Sequence, residues 1–101
     1  MILDKFDENG DWKLNPNYKE IARLRDMLEE AEIPHVYCRF MDGWQICIFK
    51  DDEIVIDAIE HAYSYGNKDD LLEVYGKGFD DPIGWIDAEN AFELFKEAWM
   101  V

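Results

Sequence analysis

An α+β fold, with an N-terminal helix, a three-stranded antiparallel meander and two C-terminal helices packed on one face of the sheet, is what this 101-residue sequence predicts. Three observations carry that expectation. Apolar residues recur at steps of three and four over residues 17–32, two β-rich runs flank Asp42-Gly43, and residues 88–100 repeat the helical spacing behind a capping Asp87. Residues 1–16 read as a weakly ordered acidic arm and residues 17–101 as a single α+β domain.

Taken in order, NYKEIARLRDMLEEAE places Tyr18, Ile21, Leu24, Leu28 and Ala31 on one helical face, with Asn15 or Asn17 as cap and Pro34 as the stop. HVYCRF and WQICIF then form a hairpin. If Asp42 and Gly43 are the two loop residues of a type I′ turn, Met41 faces Trp44, Tyr37 faces Ile48 and Cys38 faces Cys47. EIVIDAI, residues 53–59, follows the polar turn Lys50-Asp51-Asp52 as a third strand with Ile54, Ile56 and Ala58 on one face. Asn67 is read as the cap of a short helix KDDLLEVY ended by Gly76. GKGFDDPIG is read as a loop with one extended turn at Ile83 to Ile86, before the last helix AENAFELFKEAWM.

Charge is the most decisive property of the composition. Ten Lys plus Arg against 24 Asp plus Glu give a formal net charge of −14, and residues 51–101 hold fourteen acids against three bases. Such a surface repels phosphate, which disfavours direct binding to nucleic acid or to an anionic membrane. It suits solubility or a basic protein partner. No apolar run approaches the about 20 residues of a membrane span, and MILDKFDENG lacks a basic segment followed by an apolar one, so the expected location is the cytoplasm.

The stretch FDENGDWKLN resembles the start of a calcium loop, with Asp7, Asn9 and Asp11 two apart. With Asp7 as the first ligand, however, Trp12 falls where the turn needs glycine and Tyr18 where a bidentate glutamate belongs. The reading is therefore an Asn9-Gly10 turn with no metal. Cys38 and Cys47 have no CxxC spacing and no further ligands beside them, so zinc is not expected, and a reducing compartment would keep both thiols free. No cofactor is expected either. Ser64 lacks a GxSxG context, and Gly76 and Gly78 follow a helical segment instead of opening one.

Two function classes remain. The first is a non-enzymatic protein that binds another protein, with Trp44, Tyr63, Tyr65 and Trp85 as aromatic contacts and Asp69, Asp70, Glu73, Asp80 and Asp81 as an acidic rim that could imitate nucleic-acid charge. A homodimer is also expected, because Tyr37, Trp44, Ile46 and Ile48 share one face of a sheet that helices cover on one side. The alternative is a small enzyme or ligand-binding protein with a site around Glu60, His61 and Tyr65. Neighbours in a strand point to opposite faces, which opposes convergence of Glu60 and His61.

The segments IPHVYCRFMDGWQICIF, IEHAYSYGNKDDLLEVYG and GWIDAENAFELFKEA resemble a group of small uncharacterised proteins encoded in phages and prophages of Gram-positive bacteria. The likeness covers about residues 18–98; the acidic arm of residues 1–17, Tyr75 and Asn90 depart from it. What the resemblance implies is a phage or prophage gene product in a bacterial cytoplasm; the binding reading adds a protein partner, host-derived in that context. It implies no activity and no catalytic residue.

Overall fold

The computed structural model describes residues 6–101. The first five residues of the predicted arm lie outside the described part. Helix α1 (Glu20–Glu30) leads into strands β1 (Val36–Phe40), β2 (Gly43–Lys50) and β3 (Glu53–Glu60), a 3-10 turn (Asn67–Asp69), strands β4 (Leu72–Gly76) and β5 (Ile83–Ile86), and helix α2 (Ala88–Met100). The five strands form one antiparallel sheet in the order β1-β2-β3-β4-β5. Ile46, Ile48, Ile56, Ala58, Leu72 and Val74 of the sheet pack with Ile21, Leu24 and Leu28 of α1 and Ala88, Ala91 and Phe95 of α2 in one buried core.

The expected three-stranded meander with two C-terminal helices is thus corrected to a five-stranded sheet with one C-terminal helix. KDDLLEVY is not a helix: after the 3-10 turn, Asp70 takes a left-handed φ of +54°, which no helix continues through. From there burial alternates, with Leu72 and Val74 fully buried, Glu73 half-buried and Tyr75 exposed. A short apolar run fits either periodicity, and the free edge of β3 decides it by pairing Ala58 with Val74 and Asp57 with Tyr75. Ile83–Ile86, read as an isolated extended turn, becomes the edge strand that pairs with β4.

The hairpin register also differs from expectation. Val36 pairs with Cys47, Cys38 with Gln45 and Phe40 with Gly43, so the turn is Met41-Asp42, with positive φ at Met41. The glycine is needed in the strand: a Cβ on Gly43 would lie 1.7 Å from the Glu60 carbonyl oxygen. The doubly left-handed turn appears one connection later, at Asp51 and Asp52, with φ of 52° and 66°. A bulge between Ile48 and Phe49 sets Phe49 against Ile54, which turns the exposed Ile54 away from the face it was expected to share with the buried Ile56 and Ala58. Cys38 and Cys47 are both free thiols, as expected, but they are not an opposed pair.

Helix α1 ends in a Schellman motif: Glu32, at φ +58°, donates its N–H to the Glu29 carbonyl and Ile33 donates to that of Leu28. Asp87 caps α2 by accepting from the Asn90 N–H at 2.9 Å. Neither Asn15 nor Asn17 caps α1. Asn15 instead accepts from the Asn17 N–H, and the cap comes from a distant residue described below. In the arm, Phe6 bridges to Trp12, and the Asp7 carboxylate accepts from the N–H groups of Asn9 and Asp11 at 2.9 and 3.0 Å.

Candidate functional site: an aromatic hollow beside the third strand

The segment between β3 and β4 begins with a locked turn. The Ser64 hydroxyl donates to the His61 carbonyl and accepts from the His61 N–H, both at 3.0 Å. The Asn67 side chain donates back to the Ser64 carbonyl at 2.5 Å. Gly66 then takes a φ of +95°, where a Cβ would meet the Cα and N of Trp85 at 3.0 Å. Across the gap, Gly84 lies under the Tyr65 side chain, and a Cβ there would come within 2.4 Å of the Tyr65 Cβ. The backbones at 65–66 and 84–85 therefore cross in close contact, possible because a glycine stands on each side.

This crossing sets Tyr65 and Trp85 face to face, with ring centroids 5.9 Å apart and planes 5° from parallel. Tyr65 is 55% exposed, Trp85 61% and Tyr63 63%. Trp85 holds a φ of +54°, a costly conformation for a large side chain, and burial does not account for it. Ala62, Tyr63, Ser64, Tyr65, Gly66, Asn67, Lys68, Asp69 and Trp85 line an open hollow of about 450 Å³.

Of the residues read from the sequence, Tyr63, Tyr65, Asp69 and Trp85 share this hollow. Glu73 stands behind it, accepting the Tyr65 N–H at 2.9 Å. Asp80 and Asp81 lie in the β4–β5 connection, at the opposite end of those strands from Trp85. Trp44 is elsewhere too: it stacks on Tyr37 at 4.4 Å and 9°, beside the core. The sheet face used to expect a dimer, carrying Tyr37, Trp44, Ile46 and Ile48, is the one the helices cover; Ile46 and Ile48 have no exposure. Gly66 and Gly84, which shape the hollow, were not singled out, the strings SYG and IGW being their faint signal; Asn67 was read as a helix cap, whereas its side chain ties back to the Ser64 carbonyl.

Glu60, His61 and Tyr65 do not converge. His61 stacks on Phe40 at 4.9 Å, its Nδ1 accepts the Tyr63 N–H at 3.0 Å, and burial lowers its pKa, so the ring is neutral with its proton on Nε2. Glu60 points the other way, fully buried under α1, where Oε1 accepts the Ile21 N–H at 3.1 Å. Its Oε2 meets no N–H or O–H donor among the described residues. The carboxyl of Asp70 lies beside that of Glu60, and its Oδ1 accepts the N–H groups of Lys19 and Glu20 at 2.8 and 3.3 Å and so caps α1.

Two carboxyl groups form a hydrogen bond only when one keeps its proton. Burial, and then the bond to Asp70, push Glu60 up to about 9, so Glu60 is the donor. For Asp70, burial works upward, but the proton from Glu60 and the two helix N–H groups outweigh it and hold its pKa below the ordinary value. Tyr18, pushed up to about 12 by burial and by Asp42, donates to Asp42 at 3.1 Å; the other Asp42 oxygen takes the Ala62 N–H at 2.7 Å. These carboxyls fasten backbone. No group of three or more His, Cys, Asp or Glu suited to a metal occurs among the described residues.

No protein-family model matches the chain, and no curated protein or solved structure matches it. Among the described residues no helix is long and apolar enough to cross a membrane.

Proposed function

We propose that this chain is a non-enzymatic binding module that docks a protein on the hollow of Tyr63, Tyr65 and Trp85. The observation that carries the reading is the exposure of three large aromatic rings in one place, with Trp85 kept out of the core by a strained backbone. Exposed aromatics with a polar surround are the usual anchors of protein interfaces. The net charge of −14 favours a basic partner. The resemblance to phage and prophage proteins directs the search to a bacterial host protein.

The test is capture from a bacterial lysate on the immobilised chain, compared with the double variant Tyr65→Ala, Trp85→Ala. The reading expects a protein that the wild type retains at high salt and the variant loses, while the far-ultraviolet circular dichroism of the two stays the same. Retention by both, or by neither, refutes it.

A further inference from the structure

The molecule contains a Tyr–Trp stack twice, and one copy is filled. Tyr37 and Trp44 lie parallel, the Arg25 guanidinium sits 4.8 Å above the Tyr37 ring, and Asp26 holds that guanidinium through Nε and Nη2 at 3.2 and 3.0 Å. Tyr65 and Trp85 repeat the parallel pair with Asp69 on the rim of their hollow. Here, among the described residues, no cation of the chain lies over either ring. The other two cation–ring contacts are also internal, Lys50 over Trp99 and Lys96 over Phe92.

We propose that the Tyr65–Trp85 stack receives an arginine side chain from the protein partner, the guanidinium lying on Tyr65 and Trp85 with Asp69 as its counter-charge. Resting on the binding reading above, this names the chemistry the partner must bring. A flat, weakly hydrated cation suits parallel rings better than the compact ammonium of lysine, which stays strongly hydrated. The chain's own arginines are committed: Arg23 to Glu20 and Glu89, Arg25 to Asp26 and Tyr37, Arg39 to the Trp12 and Met41 carbonyls. Lys68 lines the hollow without lying over a ring, and fourteen acids against three bases in residues 51–101 leave the surroundings anionic. That field attracts a cation from a partner and repels a second copy of the chain.

The probes are hexa-arginine, hexa-lysine and hexa-citrulline peptides, with affinities measured by isothermal titration calorimetry for wild type and every variant, and the site of binding in the wild type reported by the indole N–H resonance of Trp85, which is assigned by its loss in Trp85→Phe. The expected result is that hexa-arginine shifts this resonance and binds about fivefold or more tighter than hexa-lysine, and that hexa-citrulline does not bind. Trp85→Ala and Tyr65→Ala should each weaken hexa-arginine by about fivefold, whereas Trp85→Phe, which keeps a ring face, should stay within about twofold of wild type. Equal affinity for arginine and lysine peptides, or unchanged binding by Trp85→Ala, would show diffuse charge attraction and overturn the inference. Capture of a protein that depends on Tyr65 and Trp85, together with a negative peptide result, would leave the binding reading standing and reject the arginine.

Discussion

Replacing Glu60 by glutamine isolates the energetic consequence of burying one protonated carboxyl between two helix-capping contacts. In the folded chain its pKa is pushed up to about 9, against the ordinary 4.5 of a solvated glutamate. The folded state therefore holds a proton that the unfolded chain releases above 4.5. The stability this group contributes is full below that value and declines through the window up to about 9, by about 1.4 kcal/mol for each pH unit. At about pH 7 the decline has reached about 3 kcal/mol, a large part of the total stability of a small domain. Glutamine preserves the geometry: its oxygen can accept from the Ile21 N–H, and its NH₂ can donate to Asp70 without any proton to retain.

Glu60→Gln should accordingly match the wild type near pH 4.5 and exceed it by about 3 kcal/mol near neutrality, a Tm gain of about 15 °C for a domain of this length. Urea unfolding followed by circular dichroism, repeated at unit pH steps from mildly acidic to mildly alkaline, measures the difference directly. Every other titrating group is common to both proteins and cancels. A difference that stays flat across the series, or a glutamine variant less stable at neutral pH, would refute a shared proton between Glu60 and Asp70.

Asp70→Ala removes both the α1 cap and the acceptor for the Glu60 proton, so a loss of about 2 kcal/mol or more is expected, with faster amide exchange at Lys19 and Glu20. Gly43→Ala would push a methyl into the Glu60 carbonyl, 1.7 Å away, and should cost more than about 3 kcal/mol in chemical denaturation. Burial, Asp57 and Cys38 raise the Cys47 thiol to about 11, so a disulfide reagent should modify the half-buried Cys38 first and reach Cys47 at the rate of unfolding. Calorimetric titration with calcium should show no one-site event, since the Asp7 oxygen that would lead a cation loop is already bonded to two backbone N–H groups.

The two long helices and the first hairpin were legible because each is a local pattern long enough to show its period, and Asp87 caps where the sequence places it. What could not be read was decided over long separations. Nothing local to LLEVYG chooses strand over helix; the open edge of β3 does, sixteen residues away at Ala58 and Val74. The hairpin glycine was legible as a glycine and misplaced by role, because a turn and a close backbone approach both call for the same residue. In the hollow, Tyr63, Tyr65, Asp69 and Trp85 could be named as exposed candidates, yet their convergence depends on the crossing of Gly66 and Gly84, which no spacing in the sequence displays.

The acidity itself changes meaning once the hydrogen bonds are known. Counted along the sequence, 24 carboxylates suggest a uniformly anionic exterior. In the fold, Asp7, Glu20, Asp42, Glu60, Asp70, Glu73 and Asp87 each accept a backbone N–H. Several reach across the chain: Asp70 to the start of α1, Glu20 Oε2 to Ala88 at the start of α2 at 2.7 Å, Glu60 to Ile21. A carboxylate bound to a helix N-terminus has spent its charge on two or three N–H dipoles and offers little to a ligand. Asp70 and Glu73 are therefore poor bait for a basic partner, whereas Asp69, exposed on the rim of the aromatic hollow, keeps its charge for one. The specificity of the site then follows from the few acids left unspent beside the rings, which is why replacing Asp69 by Asn should weaken an arginine probe while replacing Asp80 or Asp81, at the far end of β4 and β5, should not.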